Sequence, residues 1–327
     1  MRYVVFIVLL SMLTACTEKT PEQAVENTKL KFPESTVDMQ LQKVSDHVYY
    51  VQGKSGIATD NQGFISNSGF VVTGNGVVVF DSLGSPSLAE KMYGLMRQVT
   101  EQPVRKVIVS HYHADHIYGL PFYKTLGAEI YAPAGAQKYI GSEQARNRLA
   151  ERRKSLAPWV NEQTYVVEPD HIISKETHFS LGEVDFTLSY LGEAHSDGDM
   201  TLYIEPDRVL FSGDIIFEGR VPYLGDANTK NWLETLQKME TAKLVALIPG
   251  HGPAASDPNA AITQTRRYLA YLREHMGKAV DDLTDFDTAY ANTDWSEFEK
   301  LPAFPEANRR NAYQVYLSIE QEQLSGK

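Results

Sequence analysis

One cysteine in 327 residues is the first scarcity of this chain. It is Cys16, near the N-terminus, so no metal ligand or nucleophile in the body of the chain can be a cysteine. Positive charge is also short. Lys and Arg number 31 against 42 Asp and Glu, a net charge of −11. That argues against a nucleic-acid partner, whose phosphates call for a basic face. The apolar run Val4 to Leu10 is too short to cross a bilayer, which takes about 20 residues. Internal repeats and low-complexity segments are missing as well. What is there is ordinary: 43% hydrophobic and 22% charged residues describe a globular protein. The length suits one large domain with an appendage, or two domains.

The N-terminus has its own pattern. A positive start at Arg2, a short apolar core and small residues before a break describe a secretory signal over residues 1–15. Leu13-Thr14-Ala15-Cys16 resembles the lipobox of bacterial lipoproteins. The resemblance implies cleavage before Cys16 and lipid on its thiol, anchoring the protein to a membrane of the bacterial cell envelope, facing the periplasm. Residues 16–43 are polar, with Pro21 and Pro33, and read as a tether.

From Val44 the pattern is that of a folded domain running to about residue 255. His47–Val51, Phe64–Thr73 and Val77–Phe80 read as strands, the last two joined by a Gly74-Asn75-Gly76 turn. Ser85 can cap a helix that Pro86 opens, and Leu88, Met92, Leu95, Met96 and Val99 repeat at helical spacing. Further strands are expected at Val104–Ser110, Glu129–Ala132, Phe179–Gly182, Val184–Leu191, Met200–Ile204, Val209–Phe211 and Val245–Pro249. Helices are expected at Ile117–Leu126, over 134–156 with a mostly solvated Arg- and Glu-rich face, and at Thr229–Thr241. Beyond the Asp257-Pro258 cap the chain turns helical, and 256–327 reads as a helical appendage packed on the core. Two packed sheets with helices outside would bury both the alternating and the continuous apolar runs.

The chemistry is concentrated in histidines. The chain has nine, and three fall in His111-Tyr112-His113-Ala114-Asp115-His116, just past the apolar run Val107–Val109. Imidazole nitrogen and carboxylate oxygen suit zinc or another first-row divalent ion. In an extended loop His111 and His113 point the same way and can share one ion, while Asp115 and His116 can face a second. Three later positions place a ligand type just after an apolar strand with glycine nearby: His195, Asp214 and His251.

This set resembles the metallo-β-lactamase fold superfamily over roughly residues 44–255. The resemblance implies an α/β protein, an αββα sandwich with metals at one rim. It implies that His111, His113 and His195 hold one ion, that Asp115, His116 and His251 hold the other, and that Asp214 bridges them. Asp81 would support the ligand loop without binding metal. Two zinc ions are expected, with iron or manganese as alternatives. The best-known zinc β-lactamases have cysteine or another non-bridging residue where Asp214 stands, and a lysine soon after it to hold the drug carboxylate. Here Ile215-Ile216-Phe217-Glu218 follows, and Arg220 is the nearest substitute.

The expected activity is hydrolysis of a small-molecule ester, thioester, lactone or β-lactam. Two ions about 3.5–4 Å apart can share a hydroxide whose pKa falls to about 7, with Asp115 or Asp214 helping to move its proton. Gly53–Gly63, tipped by Ile57, is the expected flap, and Tyr112 and Tyr118 flank the metal loop. The alternatives are an iron-bound redox member of the fold and a non-catalytic metal-binding accessory protein.

Overall fold

The computed structural model describes residues 32–239 and 244–325. The signal segment, Cys16 and the start of the tether lie outside the described residues. Strands β1 (Leu41–Lys43), β2 (Val48–Val51), β3 (Ser68–Val72), β4 (Val77–Phe80), β5 (Val104–Ile108), β6 (Glu129–Pro133) and β7 (His171–Ile173) form one sheet in sequence order. The pairs are antiparallel from β1 to β4 and parallel from β4 to β7. Strands β8 (Thr177–Leu181), β9 (Val184–Gly192), β10 (Asp199–Ile204), β11 (Val209–Phe217) and β12 (Ala246–His251) form the second, in the order β12-β11-β10-β9-β8.

Between the sheets lies a dry layer that includes Val71, Val78, Phe80, Phe186, Leu202 and Phe211. Phe80 and Phe211 stack across it at 5.1 Å. The first sheet's outer face is covered by α1 (Pro86–Met96) and by the helices that follow the metal loop, α2 (Ala114–Ile117) and α3 (Leu120–Thr125). Ser85 caps α1, accepting from the Leu88 amide. The apolar face of α1 is narrower than its spacing suggests: Leu88, Met92 and Met96 are buried, and Val99 beyond its end is exposed. The expected helix from 117 breaks at Tyr118-Gly119, where the chain passes close to Ser82: a Cβ on Gly119 would lie 1.8 Å from the Ser82 carbonyl oxygen. Residues 134–156 likewise divide into α4 (Ala136–Tyr139) and α5 (Glu143–Ser155) around Gly141, whose φ is +74°.

Outside the second sheet lie α6 (Thr229–Met239) and α7 (Pro258–Asp281), with α8 (Phe286–Asn292) and α9 (Phe304–Ser325) packed on α7. Trp232 and Leu236 of α6, Leu269 and Met276 of α7, and Val315 and Ile319 of α9 share one core with Ile215, Phe217 and Leu247 of the sheet. The protein is thus an αββα sandwich with C-terminal helices, and α7 is part of its outer layer. Burying that much apolar surface, at about 25 cal/mol per Å², ties the C-terminal segment to the domain. The tether reading for 16–43 fails from Phe32 onward. Phe32 and Met39 are buried, Phe32 lies edge-on to Phe122 at 6.2 Å, and β1 pairs with β2. Among the described residues no helix is long and apolar enough to cross a membrane.

Candidate metal centre

The ends of β4, β5, β11 and β12 and the β9–β10 turn meet at one rim of the sandwich. After β5 the chain carries His111 and His113 extended, with His113 at φ −105° and ψ 152°. It then closes into α2, which brings in Asp115 and His116. His195 lies between β9 and β10. Asp214 and His251 sit inside β11 and β12, not beyond them as the sequence suggested. The apolar run stops at Phe211, but β11 continues through a bulge at Gly213, buried throughout. Gly213 has φ +54°, and a Cβ there would meet Ser110 Cβ at 2.5 Å, so only glycine lets the strand turn Asp214 inward.

All seven expected ligand residues come together. His113 Nδ1 lies 2.9 Å from His111 Nε2 and 3.1 Å from His195 Nε2. Asp214 Oδ2 is 3.4 Å from His195 Nε2 and 3.3 Å from His251 Nε2, and its Oδ1 is 3.3 Å from His116 Nε2. Asp115 Oδ2 is 3.5 Å from His116 Nε2 and 3.4 Å from His251 Nε2. Among the described residues three groups of metal-binding type result: the triads His111, His113 and His195, and Asp115, His116 and His251, and between them His111, His116 and Asp214. Asp214 touches both.

The ring orientations are enforced from behind. The His111 Nδ1–H donates to Ser110 Oγ at 2.9 Å, the His116 Nδ1–H to Asp81 Oδ2 at 2.8 Å, and the His251 Nδ1–H to the Ile65 carbonyl at 2.8 Å. Each bond turns the Nε2 lone pair inward. Asp81 also accepts from the Ser110 amide at 2.7 Å and the Ser110 hydroxyl at 2.8 Å. It holds φ +59°, a left-handed conformation costly for a non-glycine residue, at the end of β4. Phe217 stacks flat on His251 at 5.3 Å, and Trp232 lies edge-on to His195 at 5.2 Å.

The electrostatics divide the cluster. Burial, aided by the neighbouring imidazoles, holds His111 well below the ordinary histidine pKa. Burial also lowers His113, and takes His195 down to about 3. Burial opposes the charge on His116 and His251 too, but there Asp214 leads a set of acidic neighbours that outweighs it, and both are raised. Burial likewise opposes the ionisation of Asp115 and Asp214, yet those same imidazoles hold both carboxylates below the ordinary range.

The residues fit divalent cations. The buried His116 Nε2 and Asp214 Oδ1 face each other at 3.3 Å without hydrogen-bond geometry, leaving room for a cation to satisfy both. Three imidazole nitrogens packed within about 3 Å need a positive centre to share their lone pairs.

Sequence reasoning missed the clamp around this rim. Asn67 donates to the carbonyls of Pro249 and Gly252, both at 2.8 Å, and its own amide N–H bonds the Gly250 carbonyl at 2.7 Å. Ser66 Oγ donates to the Asp115 carbonyl at 2.6 Å. A polar Ser-Asn pair at the start of a strand carries no signal of such use. Tyr112 and Tyr118 are buried, and Tyr112 donates to the Val167 carbonyl at 2.9 Å. Of the other histidines, His47 pairs with Asp207, His171 stacks on Tyr131, His178 meets Thr187 and His275 lies against Tyr271.

Above the cluster opens a cavity of about 590 Å³. Its floor includes Asp115, Asp214 and His251; Ile57 of the expected flap and Arg220 stand at its walls. Ile57 is 59% exposed, as a flap tip would be.

Gly250 packs against this centre. A Cβ there would lie 1.9 Å from Asp214 Oδ1 and 2.8 Å from the Gly213 carbonyl carbon. Gly250→Ala is expected to push Asp214 off both triads. The loss should be about a hundredfold in kcat/KM, with stability lowered as well by about 1–3 kcal/mol, because the Gly213 and Asp214 backbone must also give way. Initial rates beside a denaturant melt check this.

Fold and cluster together define a metal-dependent hydrolase of mixed α/β build. The family model described as the metallo-beta-lactamase superfamily matches residues 61–251, more than half the chain, and the chain belongs to that superfamily. It is 24% identical over 215 residues to a metallo-beta-lactamase type 2 of Elizabethkingia meningoseptica, covering 64% of this chain and 76% of that protein. It is 22% identical over 237 residues to one of Bacillus cereus, covering 71% and 82%. Among solved structures, a metallo-beta-lactamase from Pontibacter korlensis superposes with TM-score 0.55 at 20% identity, covering 71% of this chain and 99% of that one. The sec-alkylsulfatase Pisa1 from Pseudomonas sp. superposes with TM-score 0.66 at 19% identity, covering 86% of this chain and half of that one. At these identities the structures share the fold.

Proposed function

We propose that the protein is a dinuclear zinc hydrolase of ester, thioester, lactone or β-lactam bonds, lipid-anchored through Cys16. In this reading His111, His113 and His195 would hold one ion and Asp115, His116 and His251 the second, with Asp214 available to both. The observation that carries it is the position of Asp214, within 3.4 Å of an imidazole nitrogen from each triad. When bound, the ions would supply an activated water at neutral pH and polarise the bond under attack. The chain's own residues do the rest. Asp81 and Ser110 fix the rings of His116 and His111. Asp115 and Asp214 are the carboxylates that line the cavity at the cluster and could take up a proton there. Arg220 lines the same cavity and would offer a positive charge to an anion forming there.

A sulfate ester is the second reading, because the alkylsulfatase superposition extends over more of this chain than the Pontibacter lactamase does. One preparation, stripped and reloaded with zinc, should be assayed on a cephalosporin reporter, a thioester, a lactone, a phosphodiester and a sulfate ester. Turnover that returns with zinc supports the proposal. Turnover restored only by iron, with oxygen consumed, would replace it with the redox alternative, and silence on every substrate would favour an accessory role.

A further inference from the structure

Resting on the hydrolase reading, we propose that the substrate carries a permanent anionic group away from the scissile bond, and that an arginine rim built by α5 and the C-terminal helix α9 receives it. The cavity is larger than a reacting bond requires, and within the usual range for whole small molecules. Arg148 and Arg152, one turn apart on α5, and Arg310 on α9 line it together with Arg220. The side chains of Arg148 and Arg310 make no hydrogen bond or ion pair among the described residues; Arg310 lies over the Tyr223 ring at 5.3 Å. Arg152 meets the adjacent Glu151 at 3.5 Å. Beyond the metal-binding carboxylates, the acids on the wall are Asp226 and Glu306.

The chain as a whole has eleven more acids than bases. Arginines gathered at one concavity from helices more than 150 positions apart, two of them without an ion pair among the described residues, therefore run against its average. A low-dielectric wall focuses such charge, and the guanidinium fork matches carboxylate, sulfate or phosphate oxygens. Ile57, Ile65 and Phe217 also line the cavity, giving apolar surface for the linking part of the substrate. The ligand class is an organic acid derivative with a hydrolysable bond at one end and a carboxylate, sulfate or phosphate at the other.

The test uses mono-(4-nitrophenyl) glutarate and its neutral methyl ester, which share leaving group and spacer. The zinc-loaded protein should show a KM about tenfold lower for the anionic ester, a gap that shrinks with added salt. In the Arg148→Ala, Arg310→Ala double variant the gap should fall to about twofold or less. Arg309→Ala removes the same charge from α9, where Arg309 pairs with Asp287 at 2.7 Å, and should leave the preference intact. Equal KM values in the wild type, a preference that survives the double variant, or an equal loss in Arg309→Ala would each overturn the rim. If neither ester is hydrolysed, the hydrolase reading stands or falls with the wider substrate panel and calorimetry decides the rim alone. Glutarate should then bind the metal-free wild type at least about fivefold more tightly than the double variant, and equal binding would overturn the proposal.

Discussion

Asp214→Ala is expected to lose at least about a thousandfold in kcat/KM, roughly 4 kcal/mol of transition-state stabilisation, and to hold fewer divalent ions per chain. The side chain is buried, and its two oxygens reach imidazole nitrogens of both triads. Alanine would leave His116 and His251 facing each other without their strongest counter-charge, in a site where burial already disfavours their protonated forms. Asp214→Asn keeps the shape and removes the charge, so it separates electrostatics from packing. It should lose nearly as much activity as alanine with less effect on the fold. Ion counting by mass spectrometry, with initial rates on whichever substrate responds, checks both variants. Wild-type ion content and rate in Asp214→Ala would mean the carboxylate bridges nothing.

The reach of the sequence follows from how local each signal is. His111 to His116 was legible because four residues able to bind metal sit in six positions after an apolar strand, and chance does not pack them so. Ser85-Pro86 and Asp257-Pro258 announced α1 and α7, since a cap acts within one turn. Strand β11 was read six residues short: Ser212 and Gly213 interrupt its apolar run, and a strand buried on both faces shows no alternation to continue it. The three-residue strands β1 and β7 were missed because so short an edge carries almost no pattern. The cavity wall was illegible for another reason. Arg148 and Arg152 stand on a helix whose composition reads as solvated, and Arg310 belongs to a segment taken for an appendage. Only the packing of α9 on α7, with Asn311 bonded to Pro222 and Leu224, brings them to the same opening. Ligands announce themselves by residue type and spacing, whereas specificity is written in long-range packing.

The pKa directions predict an order of metal loading. His111, His113 and His195 are depressed, so at neutral pH they are already deprotonated and an ion displaces no proton from them. His116 and His251 are raised, so a second ion must displace protons held there by the carboxylates. The sign follows directly: acidification strengthens the competing proton at the second site long before it reaches the first. Titrating metal-free protein with zinc should fill the three-histidine site first. Affinity for the second ion should fall about tenfold per pH unit for each proton displaced. Calorimetry in two buffers of different ionisation enthalpy should detect proton release in the second step and little in the first. Activity that needs both ions should fall with acid along the second isotherm, while thermal stability conferred by the first ion persists as RT ln(1 + [L]/Kd) requires. Two steps with the same pH dependence would mean that the asymmetry between the triads does not govern loading. Release confined to the first step would reverse the assignment of which histidines carry the protons.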